Sequence, residues 1–439
     1  MPTSFRPYEP DQSWLLPPSP RDWLPEGHLA YFVSDAIDAL DLSAFLERYE
    51  GDGRRNQPFH PRMMVKVLVY GYATGVCSSR KIAKKIEEDV AFRVLAAGSF
   101  PAHRTICDFR GEHLAAFRQL FVQVVQLAQG AGLVKLGRVG IDGTKVRASA
   151  SKHKAMSYGR MLKAEKRLRR EIDEILEQAA AQDAAEDDLY GPDQRGDELP
   201  QELRRREDRL RKIAEAKARL EARQAEEDRG KGRRPGDGRK SPRGGRRFKR
   251  EFGVPPDKEQ DNFTDPQSRV MMTQDGYQQC YNAQIAVDSG SQLIVATGLT
   301  NNAADSPELV PMVERIETLT GQLPKQVLAD AGYRSEAGFQ KLEQMGVEAV
   351  VSLGREGKKA RSFSDALEAT RRMAAKLESE EGRGAYRERK GLVEPVVGWI
   401  KQRGFRSFSL RGLAKTTGEW DLVCLATNLR RMYVLAPAA

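Results

Sequence analysis

The strongest constraint on the fold is a long segment that has almost nothing to bury. Residues 156–228 contain few aromatic side chains and are rich in Ala, Glu, Arg and Leu, a composition typical of long surface helices. Apolar residues recur there at heptad-like spacing in two stripes, separated by an acidic turn containing Gly and Pro. The stripes are Leu162, Leu168, Ile172 and Ile175, followed by Leu203, Leu210, Ile213 and Leu220. This pattern predicts a helical hairpin.

A basic stretch follows this segment. Arg229 to Arg250 holds eleven Lys and Arg residues and one Asp, so it carries as much charge as the +10 of the whole 439-residue chain. Because it is also rich in Gly and Pro, we expect a flexible linker that contacts phosphates without sequence preference. We therefore interpret residues 156–250 as an insertion, made of the hairpin and the basic linker.

On both sides of the insertion, short β-branched runs predict strands. These runs are RVGIDGTKVRAS before it, and CYNAQIAVDS, QLIVATGLT, QVLAD and EAVVSLG after it. Helical patterns alternate with the last of them, and Asp305 and Glu308 are interpreted as the capped start of one such helix. The predicted architecture is an α/β domain with a mixed sheet, built from residues 131–155 and 251–430 and ending in a short helical cap.

Residues 1–130 are predicted to form a helical N-terminal domain. A basic helix, a second helix to about Leu95, a Gly-Ser-Phe-Pro turn and a helix from about His103 succeed one another, which resembles a helix-turn-helix. An ordinary helical bundle with solvated lysines is the alternative. The candidate DNA contacts are Arg80, Lys81, Lys84, Lys85 and Arg104.

Composition narrows the class of protein. The four cysteines show no CxxC spacing, which argues against a zinc site and a disulfide framework. The sequence shows neither a signal-peptide pattern nor an apolar run long enough to span a bilayer. We therefore expect a cytoplasmic protein, and its basic balance suits a polyanionic partner.

Three carboxylates stand out as candidates for chemistry. Asp142, in VGIDGT, and Asp330, in VLADAGY, each follow an apolar strand, and strand ends are where sheets of this class place active sites. Glu394 and Lys401 are seven residues apart in a helical pattern, so they share a helix face. Taken singly, a strand ending in Asp is more often a turn, and a helical Glu is more often solvated.

Several blocks in this order resemble a known family. The blocks are the DGT after the first strand, NFTDPQSRVMMTQDGYQQCYNAQIAVD, ADAGYRS and YRERKGLVEPVVGWIKQRGFRSFSLRGL. They look like insertion-sequence DDE transposases with an RNase-H-like catalytic core. The closest group is the one called insertion sequence eleven-eighty-two, within the broader four-and-five superfamily.

The resemblance implies a function for the candidate residues. The implied catalytic and metal-binding carboxylates are Asp142, Asp330 and Glu394. The implied DNA-contacting helpers near the glutamate are Tyr386, Arg389 and Lys401. Two Mg²⁺ ions, or Mn²⁺, are the expected cofactors, because hard cations prefer carboxylate oxygens and phosphodiester displacement needs charge at both reacting oxygens. Without metal, three converging carboxylates would repel one another.

One spacing departs from the superfamily pattern. Four residues separate Arg389 from Glu394, where the pattern has three. Either Lys390 takes the place of the arginine, or the spacing is relaxed in this chain.

The expected activity is binding of transposon terminal inverted repeats, followed by metal-dependent DNA cleavage and strand transfer. Joining two ends requires a homodimer or a larger synaptic assembly on double-stranded DNA, to which the hairpin could contribute. Two alternatives remain open: a related metal-dependent DNA nuclease, and a catalytically inactive DNA-binding regulator.

Overall fold

The structure, a computed structural model, describes residues 19–49, 57–190, 201–239, 247–354 and 367–436. Seven helices of the N-terminal part are α1 (Leu29–Asp38), α2 (Ser43–Leu46), α3 (Pro61–Ala73), α4 (Ser79–Glu88), α5 (Val90–Leu95), α6 (His103–Glu112) and α7 (Leu114–Gly130). The predicted helical N-terminal region is therefore confirmed. The predicted succession of a basic helix, a second helix and a third is present as α4, α5 and α6. Ser78 stands at the N-cap of α4, but its side chain makes no capping hydrogen bond.

The second part of the chain forms a mixed sheet, as predicted. Its strands are β1 (Arg138–Arg147), β4 (Arg269–Thr273), β5 (Gly276–Asp288), β6 (Ile294–Thr300), β7 (Gln326–Ala329) and β8 (Glu348–Val351). The order is β4-β5-β1-β7-β8, with β6 also paired to β5. β1 runs antiparallel to β5 and parallel to β7, and β7 is parallel to β8. Strand β4 was not predicted, and it lengthens the sheet beyond the expected set.

Helices on the sheet are α10 (Leu309–Thr320), α11 (Glu336–Gln344), α12 (Glu368–Glu378), α13 (Glu380–Gln402) and α14 (Leu413–Leu435). The expectation of a short C-terminal helical cap is wrong, because α14 has 23 residues, most of them buried. It packs against α7 and α3 on one side and β6 on the other. The sheet and the N-terminal helices consequently share one apolar core. Among the described helices, none is both long and apolar enough to cross a membrane.

Two long helices lie between β1 and the rest of the sheet in sequence. They are α8 (Tyr158–Tyr190) and α9 (Gln201–Gly230), and they pack on each other. A small separate core holds them together, with Met161, Leu168, Ile213 and Leu220 among its buried members. Leu162, which the heptad pattern placed inward, is instead exposed, because the neighbouring Met161 fills the seam. A two-stranded ladder of β2 (Ala155–Ser157) and β3 (Gln260–Asn262) joins the base of this pair.

One arginine is buried in the described part of the basic stretch, residues 229–239 and 247–250. Arg233 is buried, and its guanidinium lies 2.9 Å from a carboxylate oxygen of Asp228. The same guanidinium donates to the carbonyls of Gly238 and Arg250 and lies 4.2 Å from the ring centroid of Phe248. A single arginine thus organises this stretch as an internal cation. Residues 240–246, which carry part of the predicted charge, lie outside the described residues.

Candidate active site

The two predicted aspartates are brought level by adjacent parallel strands. In the β1–β7 register, Gly140 pairs with Leu328. Asp142 and Asp330 each lie two residues further on, so both side chains should leave the same face of neighbouring strands about 4.8 Å apart. The carboxylate of Asp142 accepts a hydrogen bond from Gly143 N at 2.8 Å, and that of Asp330 accepts one from Gly332 N at 2.8 Å.

Glu394 reaches this face because α13 lies directly against β1. A Cβ atom on Gly140 would stand 2.5 Å from Val393 Cγ2 and 2.9 Å from Leu392 Cδ2, so only glycine permits this contact. Val393 and Leu392 are buried under the helix, whereas the side chain of Glu394 remains 55% exposed. The helix therefore presents Glu394 to solvent at the edge of the strand that carries Asp142.

Arg389 connects two of the three carboxylates. Its Nη1 lies 3.3 Å from Oδ2 of Asp142, and its Nη2 lies 3.6 Å from Oε1 of Glu394. The arginine side chain is only 8% exposed. The unusual interval between Arg389 and Glu394 therefore does not keep them apart, and Arg389 makes these contacts itself. In this arrangement its guanidinium faces carboxylates rather than open solvent.

Two further predicted helpers lie near the same carboxylates. The ring centroid of Tyr386 is 5.8 Å from the guanidinium carbon of Arg389. Lys401 is partly buried, and burial lowers its pKa, while the negative charge of nearby Asp142 opposes that shift. The face shared by Glu394 and Lys401 is thus turned toward Asp142, as the seven-residue spacing implied.

A fourth carboxylate, Asp305, lies near this site, although its sequence context predicts a helix cap. Helix α10 begins at Leu309 with Glu308 at its N-cap, so Asp305 does not cap it. The carboxylate of Asp305 instead accepts hydrogen bonds from Asn282 Nδ2 at 2.6 Å, Gln284 Nε2 at 2.9 Å and Lys145 Nζ at 3.1 Å. Those three donors lie on the two central strands, which fixes the position of Asp305 over the sheet.

Two glycines leave room for the carboxylate of Asp305. A Cβ on Gly143 would stand 2.7 Å from Oδ1 of Asp305, and one on Gly332 would stand 3.4 Å from its Oδ2. These glycines directly follow Asp142 and come two residues after Asp330. In the sequence, the only signals for this arrangement are the Asp-Gly pair at Asp142 and the Asp-Ala-Gly run at Asp330. The hydrogen-bond partners of Asp305 come from separate strands and leave no local signal.

The predicted DNA contacts of the N-terminal helices are exposed in varying degree. Lys84 and Lys85 pair with Glu88 and Asp89 one turn along α4, at 3.3 Å each. The remaining three, Arg80, Lys81 and Arg104, are exposed and have no ion-pair partner among the described residues. Nothing in their geometry brings them to the carboxylates of the sheet.

The electrostatics of the site centre on Asp142. Burial, reinforced by the neighbouring charge of Asp330, raises the pKa of Asp142 to about 6, although Arg389 and the Gly143 N–H oppose the shift. Burial and the charges of Asp142, Asp305 and Asp330 likewise raise the pKa of Tyr333. Negative charge is therefore concentrated at this edge of the sheet, with Arg389, Lys145 and Lys401 as the nearby cations.

This shift predicts a pH dependence of stability in buffer free of divalent ions. Between about pH 4 and pH 6 the native state holds a proton on Asp142 that the unfolded chain has already released. The free energy of unfolding should therefore decrease as pH rises through this window, by roughly 1–3 kcal/mol for this group. Urea unfolding should show this component in the wild type and not in Asp142→Asn. Parallel pH profiles for the two proteins would contradict the shift.

The donor chemistry at this edge suits a hard divalent cation. Asp142, Asp330 and Glu394 offer carboxylate oxygens, which are the kind of ligand that Mg²⁺ and Mn²⁺ prefer. Across the described ranges, no three carboxylate, imidazole or thiolate groups are gathered closely enough to share one ion. Arg389 spans Asp142 and Glu394 instead.

Comparison with known families gives two matches. Residues 252–429 match the family described as transposase DDE domain, and residues 18–112 match the family described as transposase domain (DUF772). Asp330 and Glu394 fall inside the first match, whereas Asp142 precedes it and joins the same site through the pairing of β1 with β5 and β7. No curated protein and no solved structure matches the chain. Both matched stretches are thus similar to transposase domains, the second to a DDE domain, and this supports a transposase as the class of protein.

Proposed function

We propose that this protein binds the terminal inverted repeats of a transposable element and cuts and joins their strands at the Asp142, Asp330 and Glu394 carboxylates. The catalytic core would be RNase-H-like, and the chain would belong to the insertion sequence eleven-eighty-two group. The single observation that supports this most is the β1–β7 register, in which Gly140 pairs with Leu328, because Asp142 and Asp330 each follow two residues later. The contact of α13 with Gly140 adds Glu394 to that face.

The three carboxylates would hold two Mg²⁺ ions, which supply Lewis acidity to the attacking and leaving oxygens of phosphorus when bound. Arg389 holds the carboxylates of Asp142 and Glu394 together in the protein alone and offsets their charge. Lys401, on the Glu394 face of α13, is placed to receive a phosphate of the DNA strand. The Asp305 network with Lys145, Asn282 and Gln284 would keep β1 and β5 rigid beneath the reacting phosphate.

Two ends must meet for strand transfer, so the proposed active form is a dimer or a larger synaptic assembly on double-stranded DNA. The N-terminal helices α4 to α6 would bind the repeats. Their exposed cations Arg80, Lys81 and Arg104 would contact the DNA. The protein would act on the bacterial nucleoid.

The test is a strand-transfer assay with the purified protein. Labelled duplexes that end in the repeats flanking the gene are incubated with a plasmid target and Mg²⁺ or Mn²⁺, and parallel reactions contain EDTA. Joined products are expected with a divalent ion and not with EDTA. Cutting without joining would identify a nuclease, and binding that ignores divalent ions without any cutting would identify a regulator. Either result would overturn the proposal.

A further inference from the structure

A strongly basic surface lies at the base of the α8–α9 pair. A depression of about 460 Å³ is lined there by Lys154, Arg160, Arg209 and Lys212, with His153 beside them. We call these four cations and the depression between them the basic groove. Its other lining residues are apolar or uncharged, and no carboxylate lines it.

The cations of the basic groove are uncompensated. All four are exposed, and none has an ion-pair partner in the part of the chain that the structure describes. Arginines on the outer faces of the same two helices behave differently. Arg167, Arg170 and Arg211 each pair with a carboxylate one turn away, at 3.4, 3.9 and 2.8 Å. The four unpaired cations of the groove therefore gather around one depression.

The groove is held on a fixed framework. The carbonyl of Lys154 accepts a hydrogen bond from Phe263 N at 3.1 Å, and Phe263 itself lines the groove. The first turn of α8, which carries Arg160, is anchored by Tyr158 N donating to the Glu259 carbonyl at 2.8 Å. Two cations from α9, Arg209 and Lys212, are three residues apart and so share a helix face. Because the protein backbone that carries these four cations is held in place, little of it has to become ordered when a polyanion binds.

The length of chain between Asp142 and the groove limits how far apart they can lie. Strand β1 continues beyond Asp142 to Arg147, and Lys154 follows twelve residues after Asp142. Twelve residues reach at most about 43 Å, and one turn of B-DNA is about 34–36 Å long. A duplex with one phosphate at the carboxylates would therefore reach the groove within little more than one helical turn.

We infer that the basic groove binds the phosphate backbone of the DNA duplex that enters the active site, as a sequence-independent contact made by the hairpin. This inference rests on the proposed function, since it takes that duplex as the substrate. The groove contributes affinity and orientation, because phosphate contacts fix register without reading bases. Sequence choice is left to the N-terminal helices.

The test compares two triple variants with equal loss of charge. Lys154→Ala, Arg160→Ala and Lys212→Ala together remove three groove cations, whereas Arg167→Ala, Arg170→Ala and Arg211→Ala remove three paired arginines of the same helices. Binding to a duplex of arbitrary sequence, about 30 base pairs or three helical turns long, is measured in EDTA over a range of salt concentrations. Thermal unfolding and circular dichroism verify that both variants fold.

The groove variant should bind more weakly at every salt concentration, by roughly tenfold or more at physiological salt, and its log–log salt slope should fall by about 3. The paired-arginine variant should retain the wild-type slope. Equal slopes in the two variants would overturn the inference. So would a groove variant that binds DNA normally but loses self-association, because the groove would then be an interface between copies.

These outcomes separate the inference from the proposed function. Binding in EDTA involves no bond cleavage, so the groove result does not depend on whether the carboxylates are catalytic. Conversely, Asp330→Asn leaves all four groove cations in place and tests the carboxylates alone. If Asp330→Asn still cleaves DNA, the proposed function fails. The groove inference is then still decided by the salt dependence of DNA binding in the groove variant.

Discussion

Glu394→Gln should lose at least roughly 10²–10³-fold in DNA cleavage, the order of loss seen when one group that stabilises charge in a transition state is removed. Glutamine keeps the size and helix propensity of glutamate but removes the anionic oxygen that would hold a divalent ion. Because Glu394 is 55% exposed, the change should leave stability within about 0.5 kcal/mol of the wild type. The measurement is the initial rate of strand cleavage with Mg²⁺ at saturating protein.

A matched control lies on the same helix. Glu388 is 58% exposed and pairs with Arg138, away from the Asp142 carboxylate. Glu388→Gln removes the same charge from α13 and should cleave at the wild-type rate. Asp330→Asn should lose as much of the cleavage rate as Glu394→Gln, while both variants still bind DNA. If Glu388→Gln and Glu394→Gln were equally active, the proposed triad would be wrong.

The parts of the site that the sequence predicted were those encoded locally. Asp142 lies within β1 and Asp330 directly follows β7, and a strand's direction and face follow from its own alternation. Glu394 and Lys401 share a face because helical spacing is fixed. No local pattern contained the long-range contacts that bring these elements together. One of them is the packing of α13 against Gly140.

Asp305 shows why the remainder could not be predicted. Its neighbours in sequence, SPEL, resemble the start of a helix, and a cap is the ordinary role for Asp there. Its actual partners, Lys145, Asn282 and Gln284, lie on two other strands. A side chain whose role depends on long-range hydrogen bonds leaves no periodic signal in its own segment.

The burial of Arg233 in the basic stretch could not be predicted for a related reason. Composition predicted solvated charge, since Arg is rarely buried unless it is paired. Arg233 is the exception, because Asp228, two carbonyls and the ring of Phe248 surround it. The heptad stripe failed at Leu162 by a single position, since Met161 takes the buried place. Patterns of charge and spacing identify helices well, but they do not decide which of two adjacent residues is buried between the helices.

Glu419→Ala should destabilise the protein by about 3–5 kcal/mol, the cost of leaving a buried partner charge uncompensated. Glu419, on α14, is fully buried and accepts hydrogen bonds from Tyr72 Oη at 3.2 Å, Ser409 N at 3.0 Å and Leu410 N at 3.0 Å. The buried guanidinium of Arg110, on α6, lies 4.0 Å away. Urea unfolding would measure the loss, and Glu343→Ala, which breaks the exposed pair with Arg372, should cost at most about 1 kcal/mol.

The position of Glu419 makes this more than a local effect. Its carboxylate ties α6 of the N-terminal part, through Arg110 and Tyr72, to Ser409 and Leu410, in the segment that follows α13. Losing it should therefore loosen the link between the N-terminal helices and the helix that carries Glu394. An apolar pair, Arg110→Met with Glu419→Leu, should recover most of the lost stability, because the cost comes from an orphaned charge. A double variant as unstable as Glu419→Ala would show instead that the hydrogen bonds to Ser409 and Leu410 dominate.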